Sequence, residues 1–169
     1  ITPSQGGTRS CAEEQLASAI GSEYEIHFAQ NCQNQIFDWK NYQAVVFYTT
    51  GELPLDETAR KALVEYVRAG GGFVGIHPAT DTLYSCAPYQ EMIGGTFDGH
   101  PWHQKVRVTV EDPLHPATAH LGDSFEIEDE IYQFKNWDRS KGRVLLSLDP
   151  ESVDVNAKGV NRKDRDFAL

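Results

Sequence analysis

The stretch GGGFVGIHPATDT, residues 70–82, decides how this chain is read. Three glycines lead into a short apolar run that stops at His77-Pro78. Gly70, Gly72 and Gly75 match the G-x-G-x-x-G spacing of a dinucleotide-binding loop. That loop must follow a strand and open a helix. Here the order is reversed. Ala59, Leu63, Tyr66 and Val67 recur at helical spacing behind a capping Asp56, Arg68 lies in the last turn, and Gly70 stands just beyond. The glycines end a helix, turn tightly and let the following strand pack closely.

Working outward, Ser10-Cys11-Ala12-Glu13 is a capping-box pattern, followed by Leu16, Ala19 and Ile20 at helical spacing and Gly21 as a terminator. This predicts a helix over about residues 11–20. YEIHFAQ (24–30) alternates like a strand, and AVVFYTT (44–50) and GFVGI (72–76) are apolar runs expected for strands buried on both faces. Helix, strand, strand, helix, strand is the order of an α/β fold whose parallel sheet is flanked by helices. The second half differs. QKVRVTVED (104–112) and SFEIEDEIYQF (124–134) alternate apolar and polar residues, and RVLLSLD (143–149) is a further strand, which adds antiparallel segments to the parallel core.

The 169 residues suit a single domain, and the net charge of -10, from 25 acidic and 15 basic residues, opposes nucleic acid and anionic membranes as partners. No run approaches the roughly 20 apolar residues of a spanning helix, and no signal-like segment opens the chain, though one upstream would be invisible here. Cys11, Cys32 and Cys86 form neither a disulfide framework nor a CxxC pair, which leans the expected location towards the cytoplasm.

Ligands of open α/β sheets bind beyond the carboxyl ends of the strands, where His77 stands. Nucleophile-elbow enzymes carry Ser or Cys at this position, and the next backbone N–H serves the oxyanion. Histidine replaces that nucleophile here, and Pro78 has no N–H to offer, so amidotransferase or peptidase chemistry is disfavoured. LVEYVRAGGGFVGIHPATDT (63–82), GGTFDGHPWHQKVRVTVEDPLHPATAHL (94–121) and FEIEDEIYQF (125–134) together resemble the ThuA-like family, named for trehalose utilisation. The resemblance spans roughly residues 40–169. It implies a flavodoxin-like, class I glutamine amidotransferase-like fold without the nucleophilic cysteine. It also implies a hydrolase or other enzyme acting on a disaccharide or an oxidised (3-keto) sugar. Pro78 departs from the small residue usual after the histidine. Against the family pattern, part of the first strand and the closing strand and helix are expected to be missing from this single ThuA-like domain.

The expected catalytic groups are His77, as acid–base residue, with Asp81 and Glu130 as carboxylates. Each has a plainer role available: His77 as a turn-fixing histidine, Asp81 as a helix cap, Glu130 as part of a solvated acidic edge with Glu126, Glu128 and Asp129. Alternation along a strand puts Asp129 and Glu130 on opposite faces, with Tyr132 beside Glu130. His100, Trp102, His103 and Tyr132 are expected substrate contacts, and Tyr84 and Tyr89 offer further flat faces for a sugar ring. His77, His100 and His103 are also a weak candidate set for a divalent Zn or Mn ion. His115 is expected in a turn into a short helix begun by Pro116, His27 and His120 in structural roles, and Cys86 as an inert thiol. Arg162, Lys163, Arg165 and Asp166 are expected to form a solvated stretch. Two functions fit: a carbohydrate-processing enzyme using acid–base or metal-assisted chemistry, or a sugar-binding or accessory module of the same fold, with a small carbohydrate as partner and self-association open in either case. Turnover that depends on His77 separates them from saturable binding without turnover.

Overall fold

The computed structural model describes residues 11–29 and 37–169. The chain divides into two compact units, one running up to Val45 and resuming over Leu53–Gly72, the other made of Val46–Glu52 with Phe73–Leu169.

In the first unit, α1 spans Cys11–Ile20 as its spacing predicts, and Gly21 follows it in a left-handed conformation (φ 72°). The capping role expected of Ser10 lies outside the described residues. Of the strand expected over 24–30, the described part, Tyr24–Ala29, joins no ladder among the described residues, although Ile26 and Phe28 are half-buried between exposed neighbours. Alternation fixes which side chains share a face, but a strand also needs a hydrogen-bonded neighbour along its length. In α2 (Glu57–Arg68) the Asp56 carboxylate accepts the Ala59 N–H at 2.7 Å, closing the first turn as expected. Leu63, Val64 and Tyr66 are its buried residues, so the inner face is wider than the spacing suggested. Trp39, stacked on Phe37 with ring centres 4.7 Å apart, donates its indole N–H to the Ala59 carbonyl at 3.2 Å.

The glycine run then performs the turn. Gly70 has φ 95°, and a Cβ on Gly71 would lie 2.2 Å from the Tyr66 ring. The Tyr66 hydroxyl sits within 3.2 Å of the carbonyls of both Tyr42 and Gly72, which pins helix end to strand start. β1 (Ala44–Phe47) and β2 (Gly72–Gly75) form a two-stranded sheet. Its hydrogen bonds advance in step, Gly72 N–H to Gln43 O at 3.0 Å and Ile76 N–H to Phe47 O at 2.8 Å, so the pair is parallel. This is the parallel part of the fold. Burial on both faces is not observed: Val46 is 39% and Val74 48% exposed. An apolar run shows that both faces can be covered; it does not supply the cover.

In the second unit β2 leads through Ile76 into a 3-10 turn, His77–Asp81, and then α3 (Ala87–Ile93). β4 (Trp102–Val110) lies between β5 (Ser124–Ile131) and β7 (Leu146–Leu148), antiparallel to both, which is the sheet expected for the second half. Trp102, Val106 and Val108 point inward with Ile131, Leu148, Val160 and Phe167, a core continuous from strand to strand. The extended segment predicted over 124–134 breaks after Ile131. Its far end becomes β6 (Phe134–Lys135), which pairs with β3 (Thr96–Phe97) in another sheet. Two further expectations are corrected. Residues 113–120 form successive turns rather than a short helix, with Ala117 N–H donating to His115 Nδ1 at 3.2 Å, a local bond that competes with helix formation. The 162–166 stretch is solvated only in part: Lys163 and Arg165 are exposed, but the Arg162 side chain is 13% exposed, donates to the Phe134 carbonyl and pairs with Asp164.

Candidate functional site

His77 occupies the end of β2 with a positive φ of 47°. Left-handed backbone is uncommon outside glycine and asparagine, and the following Pro78 restricts the residue further, so this conformation costs about 1–3 kcal/mol. It aims the imidazole at the carboxyl end of β5. His77 Nε2 lies 2.8 Å from Glu130 Oε1, a residue 53 positions away, and 3.3 Å from the Tyr132 hydroxyl. In the neutral imidazole, a bond to the carboxylate places the proton on Nε2 and leaves the lone pair on Nδ1.

The second oxygen of Glu130 faces another histidine, His100 Nε2, at 3.6 Å. Phe97, Tyr132 and the two imidazoles form a ring cluster around the carboxylate, with centre separations of 4.4 Å for Phe97–Tyr132 and 4.6 Å for His77–Tyr132. The cluster is assembled by a buried amide. Gln133, 2% exposed, receives the Asn161 N–H on Oε1 and donates through Nε2 to the carbonyls of Asp98 and Gly159, while its main chain bonds both Asp98 and Gly99. The Gly99-His100 loop and Tyr132 are thereby held side by side. Burial, and then the Glu130 charge, push the Tyr132 phenol above its ordinary pKa, so it stays a protonated donor near neutral pH. The side chains of His77 and Glu130 remain 33% and 29% exposed, open to an incoming molecule.

A second carboxylate stands on the same turn. Asp81 does not cap a helix: it is the last residue of the 3-10 turn. Its Oδ2 accepts from Thr50 Oγ1 at 2.7 Å and its Oδ1 from the Tyr84 hydroxyl. Burial and the Asp81 carboxylate push the Tyr84 phenol up to about 12.

The structure thus gathers His77, Glu130, Tyr132 and His100 into one cluster and sets Asp81 on the turn that begins with His77. His103 pairs across the ladder with Glu130, and directly opposed antiparallel residues share a face, so it flanks this cluster on the solvent side. Trp102 is different. It is 2% exposed, meets Phe167 edge-on and donates its indole N–H to the Asp154 carbonyl, so it offers no face to a sugar. Its position next to His103 decides this, because neighbours on a strand take opposite faces. Tyr89 is likewise fully buried, its hydroxyl on the Ala79 carbonyl, while Tyr84 is 43% exposed. Cys86 is buried, in keeping with an inert thiol. As for a metal, no group of three or more His, Cys, Asp or Glu among the described residues is disposed to hold one. His77 and His100 each turn Nε2 towards the Glu130 carboxylate, at 2.8 and 3.6 Å. Sequence reasoning missed Thr50 and Phe97. Thr50 had a signal, since it follows β1 at the carboxyl end of the parallel pair, where ligands of such sheets collect. Phe97 had none.

The family model described as trehalose utilisation, ThuA, matches residues 6–165. The chain belongs to the ThuA family. Among solved structures it resembles a ThuA-like protein from Bacteroides uniformis ATCC 8492, with 31% identity, a TM-score of 0.64, and coverage of 78% of this chain and 55% of the other. A ThuA-like protein from Parabacteroides merdae ATCC 43184 shares the fold at 18% identity and a TM-score of 0.60, over 85% of this chain and 60% of the other. This ThuA chain therefore spans a little over half the length of the solved relatives it matches. No curated protein matches it.

Proposed function

We propose that this ThuA-family chain is part of a carbohydrate-processing enzyme that works by acid–base chemistry on a disaccharide or its oxidised, 3-keto form, with His77 as the reacting group and Glu130 as its partner. The observation that carries this reading is the 2.8 Å pairing of His77 Nε2 with Glu130 at the carboxyl end of β2, open to solvent and ringed by proton donors. With Nε2–H held by Glu130, Nδ1 takes the proton from a carbon beside a carbonyl. The C–H electron pair passes into an enolate, whose oxygen takes a hydrogen bond from Tyr132 or His100. A 3-keto sugar has such an acidified C–H, and its hydroxyls suit the surrounding polar rim. Simple glycoside cleavage would instead need two available carboxyl groups at a set separation, and both oxygens of Asp81 are already engaged.

The test is to incubate the protein with trehalose, other disaccharides and their 3-keto derivatives, following solvent deuterium exchange and product by NMR. Exchange into a 3-keto sugar, lost in His77→Ala that keeps its circular dichroism and melting temperature, supports the reading. Full activity in that variant, or saturable binding with neither exchange nor turnover across the panel, rejects it.

A further inference from the structure

Two residues other than glycine hold left-handed backbone around this site, His77 at φ 47° and Leu83 at φ 51°. They bracket residues 77–83, the segment that carries both His77 and Asp81. Strained conformations of this kind persist only where their surroundings over-determine them, and here nearly every carbonyl between the two is captured. Tyr89 donates to the Ala79 carbonyl, Gly51 N–H to that of Asp81 and Gln90 to that of Thr82, while the Thr82 hydroxyl lies 2.5 Å from the Thr49 carbonyl and 3.1 Å from that of Pro78. The loop after β1 is joined to the segment from its other side. Leu83 N–H bonds Gly51 O at 2.9 Å, and the hydroxyls of Thr49 and Thr82 meet at 3.0 Å.

Asp81 is the carboxylate of this segment, as Glu52, which takes the Ser85 N–H and hydroxyl, is of the loop after β1. One Asp81 oxygen takes the Thr50 hydroxyl from the β1 loop and the other takes the Tyr84 phenol from beyond the second strained residue. Each Asp81 oxygen thus accepts a protein hydroxyl, one from either side of the segment, whereas each Glu130 oxygen faces an imidazole of the cluster. We propose that Asp81 is a positioning residue which, with Thr50 and Tyr84, clamps residues 77–83 between their left-handed ends at His77 and Leu83 and so holds the His77 imidazole on Glu130. With the clamp opened, His77 can relax to a negative φ and its ring leaves the carboxylate. The inference rests on the proposed role of His77 only for its effect on turnover.

The first readout therefore needs no substrate. In intact protein with 15N-labelled histidine, long-range 1H–15N spectra report the tautomer of each imidazole, and His77→Gln identifies the signals of His77. The wild type shows a single Nε2–H tautomer for neutral His77. Asp81→Ala is expected to show mixed tautomers and, on a substrate from the panel above, a tenfold to hundredfold lower kcat with KM changed less than about threefold. Thr50→Val and Tyr84→Phe each remove one arm and give smaller changes of the same kind; they decide the matter if Asp81→Ala fails to fold. Asp81→Asn, which keeps one acceptor, recovers part of the loss. A His77 spectrum unchanged in folded Asp81→Ala overturns the clamp, and a lost turnover with that unchanged spectrum makes Asp81 a direct substrate contact instead. If His77→Ala stays active, the catalytic reading falls while the tautomer spectra still judge the clamp.

Discussion

Around Glu130, one histidine faces each carboxylate oxygen, at 2.8 and 3.6 Å, and the nearest phenol stands 3.3 Å from the ring nitrogen. Around Arg139 in the same unit, the packing of charge is tighter. Its guanidinium spans Glu111 at 2.5 and 3.1 Å and Asp166 at 2.6 and 3.0 Å, while Trp137 donates its indole N–H to the other oxygen of Asp166 at 2.8 Å. The Asp166 side chain is 18% exposed, against 29% for Glu130. The Arg139 cluster has spent its hydrogen-bonding capacity on the protein and so fastens the 166–168 segment to the sheet. The Glu130 cluster keeps donors and acceptors unspent, at the end of a strained strand. Asp81, with both oxygens filled, resembles the first kind although it stands on the turn of the second.

This contrast breaks most easily at His77. His77→Ala should lower turnover at least about 100-fold, the usual weight of a positioned acid–base group, with little change in melting temperature. A similar loss of stability in that variant would make the site structural after all. Asp166→Ala should do the reverse. It strands the Trp137 N–H and the Arg139 fork, costing about 1–3 kcal/mol in denaturant melts, with turnover per folded molecule unchanged.

Acid should separate the two clusters as well. The bonds from Arg139 hold the Glu111 carboxyl below its usual range. At Asp166 burial works upward, but the bonds from Arg139 and Trp137 outweigh it and the carboxyl is lowered too. Groups with depressed folded pKa values stabilise above their unfolded values, near 4, and that contribution is lost as pH falls through the folded ones. Melts of wild type and Arg139→Met should therefore differ by about 1 kcal/mol at pH 7, since the pair is partly exposed, and converge as the carboxyls protonate. A gap that stays constant down to pH 2 would remove charge from the explanation. The smallest effect is expected at Tyr132→Phe, where a contact of 3.3 Å is long for a strong bond. A fall in kcat of less than about tenfold would leave Tyr132 as support, and a larger fall would promote it to proton donor.

How much of this was readable in advance depends on sequence separation. The helix ended by Gly70, the Asp56 cap and the inward face of β4 rest on neighbours within a few residues, whose geometry the backbone itself imposes. So does the choice of Glu130 over Asp129, a matter of period 2 along a strand. Trp102 departs from the expected substrate contact on the same ground: β4 begins at that residue, and alternation with His103 turns it into the core. The fate of residues 24–29, the exposure of Val46 and Val74 and the fold-back of 162–166 depended on partners far along the chain.

The sequence by itself determined that a strand ends in histidine rather than a nucleophile, that glycines turn the chain into that strand, and that acidic, alternating strands follow. These are local statements about conformational freedom, hydrogen-bonding capacity and periodicity. Only the tertiary structure decided that Glu130 meets His77 across 53 residues, that a buried Gln133 sets His100 beside Tyr132, and that Thr50 and Tyr84 fill Asp81. Each of those pairings costs loop-closure entropy that no short stretch can offset. They exist because the packed strands and turns had already brought the backbones together.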